Sequence, residues 1–297
     1  MADDKSGATS PSPPTDRVVS IVEMLVALDG PATSADLADA LGLSRSTVGS
    51  ILSALRERGW VRRLADLTYA PGPALAGVAE KARGKLPVPD GLTGRIEDLA
   101  ARVGCGAALS LVEDGRLVFV AMTEGLGHIP AGIEVGLRLP MQAPGGAAVV
   151  AVSDRALQQR WLDTVPADRR AQLTRSLAQI AEDGVGVWGA DAADIDRIDV
   201  LAQVVSHLSA DPASQRLRDS VQAIITDTSG HLYDRATLAS DRHLPISYLS
   251  APVFDSAGEP LWELQIGPLR SAVSVGEREH YVREITSTAR ELSAWDA

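Results

Sequence analysis

Between Ser44 and Arg63 the sequence sets five arginines, Arg45, Arg56, Arg58, Arg62 and Arg63, against one acid, Glu57. A guanidinium is a forked donor that fits phosphate oxygens and the guanine edge, so this local excess is suited to nucleic acid; it also suits a solvated helix face. Ser44, Ser46 and Thr47 surround Arg45 with hydroxyls that can meet phosphate oxygens. Nothing comparable favours catalysis. The histidines, His128, His207, His231, His243 and His280, are scattered without metal-ligand spacing or a carboxylate partner at such spacing. The glycine-rich Pro144-Gly-Gly-Ala147 lacks the Gly-Lys-Ser/Thr ending of a phosphate loop. A single cysteine, Cys105, excludes an internal disulfide framework and a Cys-based zinc cluster, and reads as a small core residue. The expectation is a chain that is not an enzyme and carries no metal or cofactor.

The arginines need elements to aim them. Val18, Ile21, Val22, Leu25, Val26 and Leu28 recur at helical spacing over Asp16 to Leu28, and Asp29-Gly30-Pro31 supplies a stop and a turn. Ser34 can cap a short second helix carrying Leu37, Ala38 and Leu41. Gly42 can follow its end in the left-handed conformation, and Ser44 can cap a third. On that third helix Val48, Ile51, Leu52 and Leu55 form the buried stripe, which turns Arg45, Ser46, Gly49 and Ser50 to other faces. Gly59 ends it, and Trp60 to Leu64, a turn at Ala65-Asp66-Leu67, and Thr68 to Ala70 read as a two-stranded wing carrying Arg62 and Arg63. Helix, short turn and a second helix with a small-residue, basic start is the arrangement that enters a major groove. A three-helix core with a hairpin can equally serve as a protein-protein adaptor.

Leu43-Ser-Arg-Ser-Thr-Val48, Leu52-Ser-Ala-Leu-Arg-Glu-Arg-Gly-Trp-Val-Arg-Arg63 and Tyr69-Ala-Pro-Gly-Pro-Ala-Leu75 resemble the DNA-binding domain of IclR-type transcriptional regulators. The sequence departs from that family at Gly49-Ser50, where members often carry a bulky or basic pair. The resemblance implies a winged helix-turn-helix over residues 14–72, with DNA contacts from Ser34, Ser44, Arg45, Ser46, Thr47, Gly49, Ser50, Arg62 and Arg63. A linker helix and linker over 73–90 would follow, and residues 1–13 would form a disordered tail.

Downstream, Leu92 to Val103 reads as a helix, and Ala107 to Val112 and Leu117 to Met122 as strands joined at Glu113-Asp-Gly-Arg116. A second hairpin is expected from Ile246 to Phe254 and Leu261 to Ile266, then a helix over Glu277 to Trp295. The class is α/β with an antiparallel sheet. Gly136-Leu-Arg-Leu-Pro-Met-Gln-Ala-Pro-Gly-Gly-Ala147, Leu249-Ser-Ala-Pro-Val-Phe-Asp-Ser-Ala-Gly258 and Ile266-Gly-Pro268 resemble the GAF-like effector-binding domain of the same family, which implies a sensor over 91–297. The family's carboxylate-binding positions match Tyr248, Leu264 and Ile266. Methyl groups cannot hold a carboxylate, so the expectation is an apolar effector, with Tyr248 as its polar contact and Trp262 nearby, or a filled core with no effector. The stretch from Gly184 to Pro245 is longer than the family connection. Apolar residues at helical spacing over Ile195–Leu208 and Ala213–Thr226 suggest an inserted helical pair at about 190–240, as a lid, a subunit contact or a decoration.

The chain has 297 residues and a net charge of -11, so it is not a generally basic nucleic-acid coat. Its charge is unevenly placed: residues 14–85 carry nine basic and eight acidic side chains, whereas 86–297 carry eighteen and twenty-nine. Any DNA contact is therefore local. The first fifteen residues offer no apolar core for a secretion signal, and the longest apolar runs are too short to span a bilayer. The expected protein is cytoplasmic, with no membrane partner, and works as a homodimer or tetramer on a double-stranded operator.

Overall fold

The computed structural model describes residues 12–28, 30–83, 91–123, 135–191, 194–195 and 230–294. These fall into two compact units on either side of residues 84–90. The expected helical pair over Ile195–Leu208 and Ala213–Thr226 lies outside the described residues apart from Ile195, as does most of the tail.

In the first unit, α1 (Pro13–Ala27), α2 (Ser34–Leu41) and α3 (Arg45–Glu57) bury one stripe each, and Ile21, Leu25, Leu37, Leu52 and Val48 meet in a shared core. The residue capping α2 is Thr33, one before the expected Ser34. Thr33 accepts from the Asp36 amide at 3.1 Å and the Asp36 carboxylate accepts from the Thr33 amide at 2.9 Å, a reciprocal pair that Ser34, already helical, cannot make. Gly42 takes the left-handed conformation (φ 61°) that turns the chain into α3, where Ser44 accepts from the Thr47 amide at 3.1 Å. The wing is β1 (Val61–Arg63) paired antiparallel with β2 (Tyr69–Pro71), and Ala32 exchanges two backbone bonds with Tyr69, fastening the wing to the turn before α2. Gly72 then passes so close to Gly59 that a Cβ on it would stand 2.2 Å from the Gly59 carbonyl oxygen; only glycine fits there before α4 (Pro73–Arg83) begins.

In the second unit, α5 (Leu92–Val103) precedes a seven-stranded antiparallel sheet. Its strands are β3 (Gly106–Glu113), β4 (Arg116–Thr123), β5 (Arg138–Pro140), β6 (Gly186–Gly189), β7 (His231–Leu232), β9 (Tyr248–Phe254) and β10 (Pro260–Gly267), in the order β5-β4-β3-β10-β9-β6-β7. Between β5 and β6 come α6 (Ala147–Val152), α7 (Arg155–Leu162) and α8 (Ala167–Asp183). A short α9 (Arg235–Leu238) leads to β8 (Leu244–Ile246), which pairs with β11 (Arg270–Val273) before the last helix, α10 (Val275–Ser293).

Strand alternation sorts the sheet into two faces. Leu109 and Leu111 of β3, Leu249, Ala251 and Val253 of β9, and Trp262, Leu264 and Ile266 of β10 pack with Ile96 and Leu99 of α5 and Ile285 and Leu292 of α10. The opposite face is covered by α6, with Trp161, Leu177, Ile180 and Trp188 forming a separate apolar cluster beside it. Cys105 is buried in the first of these cores, and burial pushes its thiol up to about 12, so it is an unreactive packing residue.

Candidate nucleic-acid interface and sensor face

The burial of Val48, Leu52 and Leu55 fixes which way α3 faces. Ser44, Arg45, Ser46 and Ser50 are exposed, and Thr47 and Gly49 are half-buried. The Ser44 hydroxyl lies 3.0 Å from that of Ser46 and 2.8 Å from that of Thr47, so the start of the helix presents a small hydroxyl cluster next to the Arg45 guanidinium. Ser53, which sequence reasoning passed over, is exposed too and completes with Ser46, Gly49 and Ser50 an i, i+3, i+4, i+7 stripe of small residues. The same period that marks the buried stripe could have found it. A Cβ on Gly49 would meet nothing within 4 Å, so packing does not require glycine there and the backbone is left open to an approaching surface.

Arg62 and Arg63 are both exposed on β1, and the Arg63 guanidinium stands 5.8 Å from the centroid of the Tyr69 ring across the hairpin. That contact is of cation–π type. Arg45, Arg62 and Arg63 make no ion pair among the described residues. Ser34 stands apart, half-buried in the first turn of α2. Arg45 with the α3 hydroxyls, and Arg62 with Arg63, are thus two exposed donor groups on one three-helix unit, suited to base edges and phosphates respectively.

The expected effector trio is not brought together. Leu264 and Ile266 are buried in the core against α5 and α10, while Tyr248 lies on the opposite face, where its ring stacks on Trp188 (centroids 5.6 Å apart, planes 7° apart). The register decides this. Ser250 of β9 faces Gln265 of β10, so residues 248, 250 and 252 share a face with 263 and 265 and leave 264 and 266 on the other. The expectation of an apolar effector rested on Leu264 and Ile266 lining the pocket, and that premise does not hold. Trp262 also faces α5 and α10, with its indole N–H unpartnered; the sheet tryptophan on the α6 side is Trp188, in one cluster with Trp161 of α7.

The α6 side of the sheet is instead polar at its centre. Ser110 and Ser250 are fully buried, and Glu263 is 1% exposed. Trp188 donates to the Ser250 hydroxyl at 3.3 Å, and Ser110 to the Glu263 carbonyl at 3.4 Å. Gln265 donates to Glu263 Oε1 at 2.7 Å, whereas Oε2 has no hydrogen-bond partner. Burial pushes the Glu263 carboxyl up to about 7, against the pull of Gln265 and of the backbone amides of Ala148, Val149 and Gly146 at the start of α6. Burial likewise raises the Tyr248 phenol well above its ordinary value, and the Glu263 charge adds to the effect. Among the described residues no group of three or more His, Cys, Asp and Glu side chains could hold a metal ion, and no helix is long and apolar enough to cross a membrane.

Comparison with known proteins adds two findings. Residues 14–65 match the IclR helix-turn-helix domain. Solved structures of similar fold include the IclR of Thermotoga maritima, at 17% identity over 94% of this chain and 96% of that one (TM-score 0.62). An IclR transcriptional regulator from Alicyclobacillus acidocaldarius is similar at 17% identity over 97% and 100% (TM-score 0.59). An IclR homolog from Microbacterium hydrocarbonoxydans, solved in complex with 4-hydroxybenzoate, is similar at 16% over 94% and 99% (TM-score 0.56). At these identities the likeness shows the fold. The sequence matches no curated protein.

Proposed function

We propose that this chain, whose residues 14–65 are an IclR helix-turn-helix domain, is a transcriptional regulator that reads double-stranded DNA through α3 and the wing. The observation that carries the reading is the α3 surface: a buried apolar stripe turns Arg45 and a row of serines and glycine outward, giving a basic start and a side small enough to enter a major groove. Arg45 reads a base edge; Ser44, Ser46, Thr47, Gly49 and Ser50 settle the helix against the backbone; Arg62 and Arg63 hold phosphates beside it. Ser34, at the start of α2, is a secondary phosphate contact. The reading places the protein in the cytoplasm.

These roles separate in a binding experiment on the full chain with a duplex selected from a random pool. Arg45→Ala is expected to cost about 1 to 3 kcal/mol on the selected duplex and little on random sequence. Arg62→Ala and Arg63→Ala are expected to weaken both duplexes alike and to lower the salt slope by about one unit each. Equal losses on both duplexes for Arg45→Ala would make it a phosphate contact, and an unchanged slope for the wing variants would take the wing out of the interface.

The protein acts as a homodimer or tetramer. One copy offers too few contacts for operator specificity, and twofold symmetry lets two α3 helices read a palindrome. Sedimentation at micromolar concentration is expected to show species of at least twice 31.2 kDa; a 31.2 kDa species alone, with and without DNA, would contradict this. The second unit senses a small molecule. The similar fold that is complexed with 4-hydroxybenzoate supports this, and the α6 side of the sheet, with Tyr248 at its edge, is where this chain keeps its buried polar groups.

A further inference from the structure

Among the described residues, the α6 side of the sheet carries a buried acid and no base. Its polar and aromatic side chains include Ser110 on β3, Trp188 on β6, Tyr248 and Ser250 on β9, and Glu263 and Gln265 on β10, beside apolar Ala108, Val112, Leu117 and Phe119. The covering helix α6, Ala-Ala-Val-Val-Ala-Val, supplies none with a charge. No lysine, arginine or histidine pairs with Glu263 among the described residues; Gln265 donates to Oε1 and the backbone amides of Gly146, Ala148 and Val149 at the start of α6 pull on the carboxyl, yet Oε2 has no hydrogen-bond partner. A buried carboxylate with an acceptor left open is costly, and a donor brought to it relieves that cost. Two charges meeting away from water interact far more strongly than in it, so an anionic ligand would be repelled here and a cationic one held. The stacked rings of Trp188 and Tyr248 add aromatic faces of the kind that attract organic cations.

We infer that the small molecule sensed by this unit is a protonated organic amine, held by an N–H donated to Glu263 Oε2, with Trp188 and Tyr248 beside its apolar body. The inference rests on the reading of the second unit as a sensor. Tyr248 and Gln265 share this face and are partly exposed, so the set reaches the surface at its edge.

The test uses the full chain, with butylamine, hexylamine, benzylamine and phenethylamine against butyrate, hexanoate, benzoate and phenylacetate, each at millimolar concentration. At least one amine is expected to raise the melting temperature saturably by several degrees, and the acids are expected to leave it unchanged. Glu263→Gln, which keeps the shape and removes the charge, is expected to abolish the amine shift. Because the Glu263 carboxyl lies at about 7, an amine that binds its ionised form should release protons at pH 7, on the order of half per site, read calorimetrically as a dependence on the buffer's ionisation heat. The Gln variant should release none. Acids that stabilise as well as amines, amines that stabilise the Gln variant equally, or no shift from any amine would each overturn the inference. Operator binding is measured in parallel. DNA binding without amine binding sinks this inference alone, and amine binding without DNA binding sinks only the regulator.

Discussion

Replacing Arg278 by methionine should lower the stability of the second unit by about 3–5 kcal/mol, read as a shift of its urea transition followed by tryptophan fluorescence. Arg278 is 2% exposed and has no carboxylate partner among the described residues. All five of its N–H groups are instead used on carbonyls. Nε and Nη2 donate to Leu238 at 3.1 and 2.8 Å, Nη2 also to Ser240 at 2.6 Å, and Nη1 to Arg242 and Val273 at 2.8 Å each. The guanidinium of α10 thereby closes the chain that runs from α9 to β8. Methionine would fill much of the volume and leave four carbonyl groups without their donor. Lysine keeps the charge and loses the fork, so Arg278→Lys should cost nearly as much as Arg278→Met. A loss below about 1 kcal/mol in either variant would mean that water or a small rearrangement replaces the fork.

Glu263→Gln should stabilise the protein at neutral and alkaline pH by about 3 kcal/mol and do little in acid. Burial raises this carboxyl from 4.5 to about 7, so the folded chain holds the proton more tightly than the unfolded chain does. The stability contributed by that proton is fully present below about pH 4.5 and is lost as the pH rises through about 7. Above that, wild type folds at the cost of burying a charge, and the Gln variant does not. Urea titrations of both proteins between pH 4.5 and 8.5 should therefore diverge upward. Parallel curves would show that the carboxyl stays ionised and well solvated in the folded chain.

These two residues show where sequence reading runs out. The helix-turn-helix was legible because its signals are local: a period of apolar residues, Ser44 as a cap, and Gly42 and Gly59 as stops. The cap of α2 slipped by one because Thr33 and Ser34 are both competent caps, and only the partner Asp36 three residues after Thr33 distinguishes them. The expected effector trio came apart for a different reason. A strand has two faces, and the motif match that grouped Tyr248 with Leu264 and Ile266 took no account of register, which sets them on opposite faces. The alternation in Leu261-Trp-Glu-Leu-Gln-Ile266 held the remedy, since polar residues at 263 and 265 belong on the side away from the apolar core. Arg278 gave no such signal, because its partners are backbone carbonyls, which every residue has.

The central claim is that the first unit reads DNA sequence, and footprinting of genomic DNA from the source organism with the full chain tests it most directly. The account predicts a limited set of protected intervals sharing a twofold-symmetric sequence, with half-sites separated by whole turns of the duplex, and their loss with Arg45→Ala. Uniform protection regardless of sequence, or none at a concentration where the chain is folded, would contradict it.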